Sequence, residues 1–202
     1  MAHYSPEIYH ERQRLWLCGQ HAVNSLLQAE VYTKSDMDKI AETLNIRTDV
    51  EARSWLSYYI NPHKSIIIGN YDVNVIIEAL SEQGLETRWF DVRKDIRTDI
   101  QFTDRTLFGL ILNTRTEFLC FPRHHWIAIK PIFGEETHTV YNLDSRLTRP
   151  KSFDNEEAVY SFLEKAIHHE GGQLLVVKIK QEHSGSDNEL TDRHGSTTID
   201  NH

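Results

Sequence analysis

Two cysteines among 202 residues are too few to staple a fold. Cys18 and Cys120 therefore read as thiols of a reducing compartment, the cytoplasm with the nucleus also open to it, although the residues alone leave a single bridge between them open. Basic charge is also short. Lysine and arginine number 22 against 30 acids, a formal net charge of −8, which argues against nucleic acid as a partner. No apolar run is long enough to span a bilayer, and the N-terminus lacks a charged-then-apolar signal pattern, so no integral membrane segment is expected. No internal repeat is present.

What remains is a chain 39% hydrophobic and 26% charged, the composition of one globular domain with a sizeable core. Residues 182–202 stand apart. They hold five acids against Arg193 alone, half of the net negative charge, and only Leu190 and Ile199 as large apolar side chains. Such a segment cannot offset its ordering entropy, which predicts a disordered acidic, polar tail after a domain over 7–181.

Helices come first along the chain. Ala22, Val23, Leu26 and Leu27 recur with helical spacing from Cys18 to about Gln28. Ser35 is the expected start of a second helix, with Asp38 three residues on and a stripe of Met37, Ile40, Ala41 and Leu44. A third is expected over Glu51–Tyr59, ended by Asn61-Pro62. Asn70 or Asp72 caps a fourth that turns Val73, Ile76, Ile77 and Leu80 inward and stops at Gly84. Strand-like segments follow at Leu85–Phe90, Thr106–Asn113, His125–Lys130 and Thr139–Leu143. Asp154 is the expected cap of a last helix ending at Gly171-Gly172, and Gln173–Ile179 reads as a final strand. Helices followed by clustered strands predict an α+β fold with a mainly antiparallel sheet.

The chemistry centres on Cys18. A thiol at a helix N-terminus meets the positive end of the macrodipole, which favours the nucleophilic thiolate. Such a nucleophile needs an imidazole to exchange its proton and an acceptor to orient the imidazole. If His125 pairs with Asp144 in an antiparallel hairpin, the turn centres at Gly134-Glu135, where a turn is expected anyway, and the two side chains share a face. His124 is the rival imidazole, but alternation turns it to the opposite face. Gln13, five residues before Cys18, carries an amide able to donate to an oxyanion beside the Cys18 N–H. Twelve histidines invite a metal reading, and Cys18 and His21 have a ligand-like gap, but no second half-site completes a set, so no metal and no cofactor are expected.

These pieces lie in a recognisable order. Ile8-Tyr9-His10-Glu11-Arg12-Gln13, Leu17-Cys18-Gly19-Gln20-His21-Ala22-Val23-Asn24-Ser25-Leu26, Gly69-Asn70-Tyr71-Asp72-Val73-Asn74-Val75-Ile76, His124-His125-Trp126 and Tyr141-Asn142-Leu143-Asp144-Ser145 together resemble the Josephin family, its short stand-alone members most closely, from about residue 7 to 180. Josephin proteins are papain-like cysteine proteases that hydrolyse ubiquitin conjugates. The resemblance implies that fold, with a protruding helical hairpin at about Thr33–Ile68. It implies Cys18 as nucleophile, His125 as general base and acid, Asp144 as orienter and Gln13 as oxyanion donor. Ubiquitin and ubiquitinated proteins would be the partners, met by Val73 and Asn74, and the chain would act as a monomer. Two positions depart: the long, polyglutamine-carrying relatives have Asn at Asp144 and Trp at Gln83. The competing expectation is a ubiquitin-binding or scaffolding module with little or no turnover; a thiol hydrolase of small amides is a third.

Overall fold

The structure, a computed structural model, describes residues 7–14, 17–52, 71–118, 121–135 and 137–181. The expected helix over Glu51–Tyr59, and with it the second half of the helical hairpin, falls mainly outside them, as do the tail over 182–202 and Cys120.

Among the described residues, six strands form one antiparallel sheet: β1 (Leu85–Trp89), β2 (Leu107–Phe118), β3 (Phe121–Phe133), β4 (His138–Asn142), β5 (Lys151–Ser152) and β6 (Gln173–Ile179), in the spatial order β1-β6-β2-β3-β4-β5. The last of the described strands thus lies between the first and the second. Strand alternation sends residues to two cores. On one face α1 (Cys18–Leu27), α2 (Lys34–Ala52) and α3 (Val73–Glu82) bring Val23, Leu26, Ile76 and Leu80 against Ile111, Trp126, Ala128 and Val177. On the other, α4 (Ile96–Asp99) and α5 (Glu156–Glu164) bring Ile96, Val159 and Leu163 against Leu110, Leu112, Ile127 and Ile129. This is the α+β architecture of a papain-like fold. Among the described residues no helix is long and apolar enough to cross a membrane.

Local chemistry sets the helix ends, in two cases at other residues than expected. α1 begins at Cys18, as its spacing predicts. α2 starts earlier than Ser35, because Thr33 and Asp36 form a reciprocal capping box: Asp36 N–H donates to Thr33 Oγ1 at 3.3 Å and Thr33 N–H to Asp36 Oδ2 at 3.0 Å. Asp72, rather than Asn70, caps α3 by accepting from the amides of Asn74 and Val75. Asn155, not Asp154, caps α5 through Ala158 N–H at 2.9 Å. That helix runs on into a π-turn over Lys165–His169.

The strands of the central hairpin are longer than the apolar pattern suggested, because β2 and β3 pair through polar residues out to Phe118↔Phe121. A bulge between Leu107 and Gly109 lets β2 switch register against β6. Gly109 has φ +156°, and a Cβ there would lie 2.6 Å from Leu26 Cδ1 and 2.7 Å from the Ile129 carbonyl oxygen. Only glycine allows α1 to lie this close to the sheet.

The β3–β4 register corrects the expected one. Ile129 pairs with Asn142 and Phe133 with His138, so His125 would face position 146 and not Asp144. The slip is two residues, which preserves the face. Asp144 falls past the end of β4 as the chain turns away.

Candidate active site

The N-terminus of α1 meets the sheet at Trp126. The indole Nε1 donates to the Tyr71 carbonyl at 3.1 Å, and a Cβ at Gly19 would lie 3.5 Å from a side-chain carbon of each of these residues. Cys18 is 3% exposed and stands in no disulfide. Burial pushes its thiol up from the ordinary cysteine value; the backbone N–H groups of Trp126, Gly19 and Cys18 itself, with the charge of Arg146, pull against this without overcoming it. Burial thus favours the neutral thiol. The helix-end position alone does not deliver the thiolate expected from it, because desolvation outweighs the backbone dipoles. The contact with the Trp126 amide sets the sulfur beside the residue that follows His125.

His125 and Asp144 meet despite the shifted register. His125 Nε2 lies 2.6 Å from Asp144 Oδ1, with side chains 6% and 12% exposed. A local turn carries the carboxylate back to the imidazole. Asp144 N–H donates to Asn142 Oδ1 at 2.9 Å, and Leu147 N–H to the Asp144 carbonyl at 2.9 Å. Burial pushes the Asp144 carboxyl up, but the His125 hydrogen bond and charge, the Arg146 amide and the Arg146 guanidinium together hold it at about 2. The group is thus an ionised acceptor, so His125 Nε2 carries the donated proton and Nδ1 is the acceptor nitrogen of the ring. His124 takes the opposite role: it is exposed, and its Nδ1 lies 3.0 Å from Asn113 Oδ1 on the neighbouring strand.

Gln13 belongs to an extended strap over 7–14 laid across α1. Its backbone N–H donates to the Ser145 carbonyl at 2.7 Å, and its half-buried side chain turns Oε1 into the protein. His10 Nε2 donates to the Asp144 carbonyl at 3.0 Å. The structure thus brings Cys18, His125, Asp144 and Gln13 to one corner where strap, α1, β3 and the turn after β4 converge. Val73 and Asn74 stand elsewhere, on the first turn of α3, Val73 half-buried and Asn74 exposed.

Three contributors have no clear signal in the sequence. Arg146 grips Asp144, its Nη2 lying 3.3 Å from Oδ2 and its amide 2.9 Å from Oδ1. Ser145 supplies the carbonyl that holds Gln13. His21, which the spacing marked only as a weak metal ligand, bonds to Glu11 instead. Among the described residues no three His, Cys, Asp or Glu side chains gather where they could hold a metal ion.

Comparison with known proteins places the chain in a family. The Josephin family model matches residues 13–178. Human Josephin-2 is 36% identical over 189 residues, covering 90% of this chain and 92% of that protein. A Josephin-like protein of Drosophila melanogaster is 37% identical over 179 residues, 84% of this chain and 73% of its own length. Human Ataxin-3 is 27% identical over 179 residues, 85% of this chain but 45% of that protein. With the family model spanning most of its length and the Josephin proteins more than one-third identical over nearly all of it, the chain belongs to the Josephin family.

Proposed function

We propose that the chain is a thiol-dependent ubiquitin hydrolase that cleaves after the C-terminal glycine of ubiquitin. The observation that carries the reading is the buried His125–Asp144 pair, 2.6 Å apart, on the strand whose next amide touches the Cys18 thiol. The ubiquitin substrate rests on family membership.

In this reading His125 Nδ1 takes the proton of the Cys18 thiol, offsetting the burial that holds it neutral. Sγ attacks the glycine carbonyl carbon. The oxyanion is met by the Cys18 N–H and the Gln13 side-chain amide, whose nitrogen is left to donate once Oε1 is turned inward. His125 then gives its proton to the departing amine as the C–N bond breaks and a thioester forms. In the second half it takes a proton from water, which attacks the thioester and releases ubiquitin and the thiol. Asp144 keeps the imidazole in one tautomer and stabilises its cationic form. Val73 and Asn74 would contact ubiquitin, and the N-terminal part of α2 would begin the arm flanking the cleft. A reduced Cys18 is required throughout, which suits the cytoplasm.

Turnover of a ubiquitin C-terminal fluorophore by the wild type and none by C18A, at unchanged stability, is the expected result. Wild-type-like turnover in C18A would remove Cys18 as nucleophile. One observation favours the second reading, a binding module of low turnover: the thiol's burial, which raises the cost of ionising it. A ubiquitin carrying a C-terminal electrophile separates the two. A covalent adduct at Cys18 supports the enzyme, and reversible binding without an adduct supports the module.

A further inference from the structure

The proposed reaction leaves a second buried imidazole–carboxylate pair without a task. Glu11 Oε2 and His21 Nδ1 are in contact, with side chains 14% and 7% exposed. Burial pushes the Glu11 carboxyl up, but the hydrogen bonds of His21, Tyr9 and Asn24 and the charge of His21 bring it below the ordinary glutamate value. Every contact with that carboxylate is from a donor: Tyr9 Oη at 2.6 Å and Asn24 Nδ2 at 2.8 Å share Oε1, and His21 Nδ1 takes Oε2. The shorter contacts favour one assignment of protons. Glu11 is ionised and His21 is protonated at Nδ1. Its Nε2 lies 3.1 Å from the backbone N of Arg14 and 3.4 Å from the Arg14 carbonyl oxygen, and the shorter contact, in which the amide N–H donates, makes Nε2 the acceptor.

That contact bears on Gln13. Arg14 N–H belongs to the peptide that joins residues 13 and 14, and Gln13 N–H to the peptide that joins 12 and 13. The first donates to His21 and the second to the Ser145 carbonyl at 2.7 Å. Both peptide planes flanking the Gln13 Cα are thus held, and with them the direction in which its side chain leaves. The Arg14 carbonyl is held too, by Leu17 N–H at 3.0 Å, directly ahead of Cys18. His21 stands one helical turn after Cys18, so the element that carries the nucleophile also anchors the oxyanion donor.

We propose that Glu11 and His21 are positioning residues that fix the strap so that Gln13 meets the oxyanion, Glu11 by imposing the tautomer and His21 by accepting from the Arg14 amide. This rests on the hydrolase reading above. The pair touches no reacting atom, and its effect falls on acyl transfer rather than on the thiol.

The test uses the full chain with four proteins, wild type, E11Q, H21Q and H21A, and three measurements. These are turnover of a ubiquitin C-terminal fluorophore, alkylation of Cys18 by iodoacetamide, and amide hydrogen exchange at Arg14. E11Q keeps the shape but gives the carboxamide an NH2 that meets either Nδ1–H or the donors of Asn24 and Tyr9. It should lower kcat about 10- to 100-fold, short of removing an oxyanion donor outright. Alkylation, which forms no oxyanion, should stay within about threefold, and Arg14 should lose exchange protection. H21Q can place its Oε1 near the position of Nε2 and should recover part of the kcat lost in H21A. E11Q turnover within twofold of wild type, alkylation falling in step with turnover, or H21Q no better than H21A would each overturn the proposal. If the wild type itself neither turns over nor labels, the hydrolase reading falls. Arg14 protection then still decides whether Glu11 and His21 hold the strap.

Discussion

Replacing Asp144 by asparagine isolates the charge of the carboxylate from its shape. The amide oxygen can still accept from His125 Nε2 and from the Arg146 amide, whereas its NH2 turns towards the Arg146 guanidinium, donor against donor. In the folded protein Asp144 is held at about 2 against an ordinary 3.8. Its ionised form is thereby favoured on folding by about 2 kcal/mol. The sign follows from the depressed value. The stabilisation is full above about pH 5, roughly half remains near pH 3, and it is lost as pH falls through about 2. D144N should therefore be about 2 kcal/mol less stable at pH 7, about 4–8 °C in Tm for a domain of this size. Urea unfolding of both proteins at pH 7, 5, 4 and 3 measures the difference directly. It should be flat from pH 7 to 5 and then narrow. A variant as stable as wild type at pH 7, or a deficit of undiminished size at pH 3, would refute the assignment of that energy to the carboxylate's charge.

Other positions yield equally direct expectations. Q13A should lower kcat for a ubiquitin fluorophore about 10²- to 10³-fold with KM little changed, and a loss confined to KM would place Gln13 in substrate binding instead. G109A forces a side chain into φ +156° and against Leu26 and the Ile129 carbonyl, so it should cost about 2–4 kcal/mol in denaturant unfolding. D72A removes the α3 cap that takes two amides and should cost about 1 kcal/mol by the same measurement. Lys130 is 9% exposed, its ammonium 3.5 Å from the Phe108 ring centre and 3.1 Å from the Phe108 carbonyl, and burial lowers it from 10.5 to about 8. Folding thus disfavours the charged form at neutral pH. K130M should be more stable at pH 7 by about 1–3 kcal/mol, the carbonyl and ring contacts offsetting part of the desolvation. The gain should shrink as pH rises through about 8 towards 10.5, and a gain unchanged at pH 10 would refute the desolvation account.

Periodicity made most elements legible, because an amphipathic stripe is written into adjacent residues. The Cys18 start of α1 and the strand over Gln173–Ile179 are of this kind. Caps closer to a choice between neighbours were misplaced by one or two residues: Thr33 and Asn155 win because their side chains reach a free amide, which is a matter of φ and ψ rather than of composition. The hairpin register shows why a partly wrong deduction still led to the right pair. A two-residue slip keeps side chains on one face, and the Asn142–Leu147 turn supplies the remaining distance. The strap was hidden for another reason. Glu11 and His21 are ten residues apart with no period linking them, and Gln13 reaches its partner 132 positions away through backbone atoms, which any side chain could accompany.

The place of β6 between β1 and β2 has a consequence for when the centre comes into being. Cys18 is synthesised early, His125 and Asp144 follow much later, and the strand that joins β1 to the rest of the sheet is the last of the described strands to be made. A growing or prematurely ended chain that stops short of residue 173 lacks the sheet's second position from one edge. Its β1 edge has no neighbour and β2 is open along one side. The thiol therefore cannot acquire its complete framework before β6 has been made. Contacts of such long sequence separation also make the corner a late event in refolding. A truncated product carries Cys18 without the sheet that frames it, so the order of strands delays the complete corner until β6 has been made.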